Sequence, residues 1–319
     1  MPNLKLLICP IFLLNLLNTL IIIIPILLAV AFITLLERKV IGLIQYRKGP
    51  QKVGTLGVFQ PFRDALKLLT KEWLGLILRN KLIYLLTPLT NLLLVLLLWL
   101  SLFPGQSYGH KWSILLLLLI LGLGVYVLFF YGWSSNNKYR ILGSLRGVAQ
   151  TISYEINIAL IIFIKLISDF QIRNSIFSLN QRNLLIIFFP LIILWIITIL
   201  AETNRTPFDF SEGESELVRG FNTEYRGGLF TLIFLSEYSS ILFLSFLSSN
   251  LMLNHQPARI PKIFLTLSLV VFWIWVRATL PRFRYDKLID LAWKIILPVV
   301  LSLLNIFFIL NLHCIFKFI

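Results

Sequence analysis

Apolar runs of membrane-crossing length recur eight times along this chain, at about 11–36, 82–103, 112–133, 148–168, 184–201, 229–248, 263–280 and 293–312. An α-helix needs roughly 20 residues to cross ~30 Å of hydrocarbon. Inside lipid no water bonds the backbone, so each such run has to satisfy its own amides, and a helix does that. One water-soluble core cannot hide this much apolar surface, because 58% of the residues are hydrophobic and only 13% are charged, against about a quarter charged in soluble domains. The expected fold is an all-α polytopic membrane protein, a single membrane domain over 1–319 with eight transmembrane helices. Ala29-Val30-Ala31 in the first run mimics a signal-peptide cleavage site. The run continues to Leu36 and is longer than a signal-peptide core, so it reads as a span.

The polar residues are spread unevenly. The connections after spans 1, 3, 5 and 7, with Arg277 and Lys294 at span ends, hold 21 of the 29 Lys and Arg and 11 of the 14 acids. The positive-inside rule places these connections in the cytoplasm-equivalent compartment, and an even span number puts both termini on the other side. The formal charge of +15 is therefore read as membrane topology and not as a nucleic-acid surface. Cys9, Cys314 and the scattered His110, His255 and His313 suggest neither a disulfide nor a metal site. Gly122-Leu123-Gly124 lies within a span and lacks the third glycine and the preceding strand of a dinucleotide fingerprint.

The first basic connection, 37–73, opens with Glu37-Arg38-Lys39 as a cap on span 1, and Lys39 and Lys48 read as headgroup anchors. Gly49-Pro50, Gly54 and Gly57 turn the chain. Pro61 then suits the first position of a helix. Phe62, Ala65, Leu66, Leu69, Trp73 and Leu76 share one face, and Arg63, Asp64, Lys67, Lys71 and Glu72 take the other. An interfacial amphipathic helix at about 61–78 follows from this spacing. Whether its apolar face meets headgroups or protein, it can wall an opening through which an amphiphile enters from the bilayer.

Carboxylates carry the chemistry. Glu155 lies about seven residues past the start of span 4, roughly 10 Å deep at 1.5 Å per residue, and Glu237 is similarly placed in span 6. Acids at that depth face a cavity or a partner; the plainer alternative is a hydrogen-bonded glutamate tying helices together. AETNRTPFDFSEGESELVRGFNTEY, residues 201–225, adds Glu202, Asp209, Glu212, Glu214, Glu216 and Glu224. Ser211 to Glu214 reads as a capping box, which accounts for one or two of these acids and not for six. Like charges this close titrate as a coupled set, a pattern suited to relaying protons, with Arg205, Arg219 and Arg226 as balancing charges. In the last basic connection, Arg277, Arg282, Arg284 and Asp286 are bracketed by Pro281, Phe283 and Tyr285.

Four stretches together carry a resemblance: ERKVIGLIQYRKGPQKVGTLGVFQPFRDALKLLTKE, LRGVAQTISYE, the acid-rich segment above, and WVRATLPRFRYDKLIDLAWKIILP. In order, over about 30 to 300, they resemble the family of respiratory complex I membrane subunits known as subunit 1 in mitochondria, which has a counterpart in the bacterial enzyme. The richness in Leu, Ile, Phe and Asn looks like a mitochondrially encoded version. The resemblance implies a core membrane subunit of proton-translocating NADH:ubiquinone oxidoreductase, forming the entry and chamber for ubiquinone. Arg38, Gln45, Arg47, Asp64, Phe221, Arg277, Arg282 and Arg284 would bind the quinone. Glu155, Glu202, Asp209, Glu212, Glu214, Glu216, Glu224 and Glu237 would form the acidic path; Phe210 and Arg219 receive no role. NADH, flavin and iron–sulfur clusters are expected in other subunits, and no metal is expected in this chain. The implied partners are the peripheral-arm quinone-module subunits, the neighbouring small antiporter-like membrane subunits and lipids. The implied location is the mitochondrial inner membrane, with the basic connections on the matrix side and both termini in the intermembrane space.

Apart from the resemblance, two other classes compete. A secondary transporter predicts inverted repeats and paired broken helices, and neither is visible in the sequence. A passive scaffold explains the basic loops but leaves Glu155 and Glu237 without a purpose.

Overall fold

The computed structural model describes residues 2–71, 80–102, 113–173, 181–210, 225–252 and 259–316. Among them the regular structure is helical throughout. In chain order the helices are α1 (Pro2–Ile44), α2 (Gln60–Leu69), α3 (Lys81–Leu102), α4 (Ser113–Trp133), α5 (Lys138–Arg173), α6 (Gln181–Glu202), α7 (Gly228–Met252), α8 (Arg259–Thr279), α9 (Tyr285–Asp290) and α10 (Leu297–Phe316), with one short 3-10 turn at Thr55–Gly57. Seven helical stretches among the described residues are long and apolar enough to cross a membrane, and Phe189–Glu202 is a shorter apolar helix. Seven of the expected spans overlap these seven stretches, and the fifth overlaps only the shorter helix.

The boundaries differ from the expected ones in four places. Helix α1 does not stop near Leu36 but runs through Glu37-Arg38-Lys39 to Ile44. Helix α5 starts ten residues before the expected span, at Lys138. The last span has no loop before it up to Lys294, since helix α9 begins at Tyr285 and passes through a π-helical stretch, Leu291–Ile296, into α10. Hydropathy marks where a segment meets lipid, whereas backbone bonding continues into the polar flank as long as no breaker intervenes. The fourth difference is α2, expected over 61–78. It ends at Leu69, where the Thr70 amide bonds the Leu66 carbonyl, and 72–79 lie outside the described residues.

The chain divides into two compact units. The first comprises Met1–Asn137 with Asn222–Ala278. Within it α3 packs on α4 and α7, α7 packs on α1, and α2 rests on α1 and α7. Helix α1 buries Ile26, Val30, Ile33 and Glu37, steps of four and three residues that keep one face inward. Ile21, Ile24 and Leu28 face outward, as lipid-facing positions would. A polar seam joins α3 to α7: Asn91 Nδ2 donates to Ser236 Oγ at 2.9 Å, and Trp99 Nε1 donates to the Ser239 carbonyl at 3.3 Å. Tyr225 stacks on Tyr84 at 4.4 Å between ring centroids and hydrogen-bonds Thr87 at 2.9 Å.

The second unit comprises Lys138–Phe221 with Thr279–Ile319. Helix α5 is its axis, packing on α6, α9 and α10. Its inward residues, Gln150, Tyr154, Asn157, Ile158, Ile161, Ile164 and Ser168, are buried. Tyr154 donates from Oη to the Leu288 carbonyl at 3.2 Å, which fixes α9 against α5.

The turn after α1 depends on two glycines. Gly49 (φ 66°) and Gly57 (φ 78°) occupy the left-handed region, and a Cβ on Gly57 would lie 2.5 Å from the Pro50 carbonyl oxygen. Gly57→Ala is expected to cost at least ~1–2 kcal/mol from the left-handed backbone alone. Gly124→Ala, where a Cβ meets nothing within 4 Å, is expected to be near neutral. Thermal midpoints of the two variants in detergent check the contrast.

Candidate functional site

Helical periodicity brings Glu37 inward. It follows Ile33 by four residues on the buried face of α1, and it is only 5% exposed. A carboxylate desolvated this far needs compensation. Two groups supply it: the Arg277 guanidinium, from the last turn of α8, bonds Oε1, and Tyr238 Oη of α7 donates to Oε2 at 2.6 Å. Three helices of the first unit therefore meet on one acid. Arg277 was expected along the quinone route, and here it bonds Glu37.

One residue further along α1, Arg38 points out and pairs with Asp64 of α2, whose other oxygen accepts from Gln60 Nε2 at 3.0 Å. This pair brings two expected quinone residues together and ties α2 to α1. Gln45 and Arg47 are hydrogen-bonded to each other in the exposed turn after α1. On α2, Phe62, Ala65, Leu66 and Leu69 are exposed. Glu237 lies on α7 and is half-buried.

The second unit holds the other described acids. Glu155 is half-buried on α5. Glu202 is the last residue of α6, the helix that packs on α5. Its Oε2 is buried and has no hydrogen-bond partner among the described residues. The helix stops there because Asn204 turns into the left-handed region, φ 49°, a conformation Asn tolerates at a helix C-terminus. The break therefore comes before Thr206-Pro207. Asp209 is buried and pairs with Arg282 at 3.3 Å. Pro207 accepts from the Phe283 amide at 3.1 Å, and Phe208 packs on Phe283 with ring centroids 5.5 Å apart. The segment after α6 and the segment before α9 thus form one packed corner. Arg284 pairs with Asp286 at 3.1 Å, both side chains well exposed. Phe221, Glu212, Glu214, Glu216 and Glu224 lie outside the described residues, as does the expected capping box.

Sequence reasoning missed Glu37, Tyr238 and Gln150 as site residues. Glu37 reads as a cap in the sequence, although its register with Ile26, Val30 and Ile33 already places it on the buried face. Gln150 carries no charge and stands out only through its buried bonds to Ala201 and Phe208. Among the described residues no group of three or more His, Cys, Asp or Glu is arranged to hold a metal ion.

The model of the NADH dehydrogenase family matches residues 17–310. The chain belongs to that family. It is similar to proteins named NADH-ubiquinone oxidoreductase chain 1 across insects and mammals. It is 50% identical to the one from Aedes aegypti over 299 residues, 93% of this chain and 96% of the relative. For Locusta migratoria the identity is 50% over 307 residues, 94% and 96% of the two chains. For Monodelphis domestica it is 45% over 302 residues, 92% and 95%. The family match takes in both units and every described site residue.

Arg277 and Arg284, both expected along the quinone route, pair with a buried and an exposed acid respectively and should behave differently. Arg277→Ala leaves Glu37 a buried charge without its cationic partner, expected to cost ~3–5 kcal/mol. Arg284→Ala removes an exposed pair, expected to cost under ~1 kcal/mol. Thermal unfolding of the two variant complexes, compared with wild type, checks this.

Proposed function

We propose that this chain is the chain 1 subunit of NADH:ubiquinone oxidoreductase, a multi-pass protein of the mitochondrial inner membrane. The observation that carries this reading is the similarity to relatives of that name over more than nine-tenths of the chain. The chain acts as part of an enzyme and not alone: NADH oxidation, flavin and iron–sulfur clusters belong to partner subunits, and this chain supplies the membrane side of quinone reduction. Its immediate partners are the peripheral-arm quinone-module subunits and the small antiporter-like membrane subunits, with lipid around the rest.

In this reading the chain is one membrane domain with eight spans, Phe189–Glu202 being the apolar part of the fifth. The connections after spans 1, 3, 5 and 7 face the matrix, and both termini face the intermembrane space. Helix α2 lies at the interface and borders the opening through which ubiquinone enters from the bilayer. Arg38, Gln45, Arg47, Asp64, Phe221, Arg277, Arg282 and Arg284 line the quinone route. Exposed Phe62 and Leu66 beside the Arg38–Asp64 pair support this, since an amphiphile with a polar head and a greasy tail needs both surfaces.

The mechanism is electrostatic. Reduction of the quinone to quinol adds two electrons and takes up two protons, so local charge changes as the electrons arrive. Glu155, Glu202, Asp209, Glu212, Glu214, Glu216, Glu224 and Glu237 respond by exchanging protons. Coupled carboxylates do this readily, because the charge on one alters the cost of charging the next. The buried Glu202 Oε2 without a hydrogen-bond partner among the described residues and the Asp209–Arg282 pair support such a response.

Glu155→Gln is expected to lower NADH:ubiquinone turnover or the protons moved per electron on the order of tenfold or more. A variant complex with normal turnover and normal pumping would indicate a scaffold. Access is tested separately at Ala65, exposed on α2. Ala65→Trp is expected to raise KM for long-tailed quinones more than for short-tailed ones, and equal effects on both would count against entry beside α2.

A further inference from the structure

Gln150 is fully buried in the second unit, with 0% exposure, and no part of the mechanism above uses it. It sits on α5 five residues before Glu155, about 7.5 Å along the helix axis. Its Nε2 donates two hydrogen bonds, to the Ala201 carbonyl at 2.8 Å and to the Phe208 carbonyl at 2.9 Å. These carbonyls belong to the residues immediately before Glu202 and Asp209. One amide therefore clamps both ends of the loop 201–208 at the two points where a carboxylate follows.

The clamp does not simply hold the chain together. Ala201 also accepts from the Asn204 amide at 3.3 Å, and Phe208 also accepts from the Phe210 amide at 3.2 Å. Each carbonyl keeps a backbone partner without Gln150. The corner is further held by the Phe283 amide on Pro207 and by Phe208 against Phe283. What Gln150 adds is register. With both donors on one nitrogen, the two carbonyls must converge within hydrogen-bond reach of a single atom, which sets the spacing of Glu202 and Asp209 and their position against α5, where Glu155 stands. The Oε1 of Gln150 has no hydrogen-bond partner among the described residues, and both donors of its Nε2 go to carbonyls. It acts on the acids through the backbone.

We propose that Gln150 is a positioning residue for proton exchange: by holding the Ala201 and Phe208 carbonyls together, it keeps Glu202 and Asp209 in register with Glu155. The inference rests on the reading that these acids exchange protons during quinone reduction.

The test uses the assembled complex. Gln150→Met keeps the side-chain volume and removes both donors, and Gln150→Asn keeps the amide on a stem too short to reach both carbonyls. Gln150→Met is expected to assemble to wild-type amounts, with kcat for quinone reduction lower on the order of tenfold and KM for quinone unchanged. Combined with Glu202→Gln, it should add no further loss, since both changes act on one step. Gln150→Asn should fall between Met and wild type. Normal turnover in Gln150→Met beside an impaired Glu202→Gln would overturn the role of Gln150 alone. Additive losses in the double variant would overturn it too. Failure of both Gln150 variants to assemble would likewise overturn it, because the residue would then be holding the fold. Normal turnover and pumping in Glu202→Gln would instead remove the underlying reading.

Discussion

Every amide and carbonyl that leaves water for lipid has to find a partner inside its own segment, and most features of this chain answer to that. It explains why the described apolar stretches form helices. It extends to side chains. Serine and threonine on the spans bond back to carbonyls three or four residues earlier, as Thr151 does to Gly147 and Ser236 to Ile233. Groups too polar for that solution, such as Glu37 and Gln150, bond to other segments, and these bonds decide which helix faces which. Polar residues are few here, so each one carries more of the architecture than it would in a soluble protein.

Glu37 and Asp209 show two outcomes of the same rule. Glu37 is closed off by an arginine and a tyrosine from two other helices, partners on both oxygens that make it a structural tie. Asp209 pairs with an arginine whose side chain is 31% exposed, so its charge remains within reach of water. Glu202 goes further, with a buried oxygen that has no partner among the described residues. The three carboxylates thus range from closely compensated to weakly compensated.

The all-helical class and the positions of the apolar stretches were legible in the residues, as was a helix opening at Gln60-Pro61. Each rests on local signals, either length of apolar run, spacing along one face or a breaker. The ends were less legible, since α9 flows into α10 through a π-helical stretch that no composition signal announces. Among site residues, acids and arginines stood out because charge is rare in the chain. Pairing was not legible. Arg277 and Arg284 lie seven residues apart in similar sequence, yet one closes on a buried acid and the other on an exposed neighbour. Gln150 gave no signal, because an uncharged residue in a polar-flanked helix looks ordinary until its partners 51 and 58 residues away are known.

The sequence by itself determined the solvent, the helical class, the places where charge enters lipid and, through long matching segments, the family. Those properties follow from hydropathy, period and residue order, all of which are read along the chain. Tertiary structure alone decided which acids meet an arginine, as Glu37 and Asp209 do, and which buried amide bonds the carbonyls of Ala201 and Phe208. Desolvation and hydrogen bonding act over a few ångströms in space, and in this chain the groups within that range come from segments dozens to hundreds of residues apart.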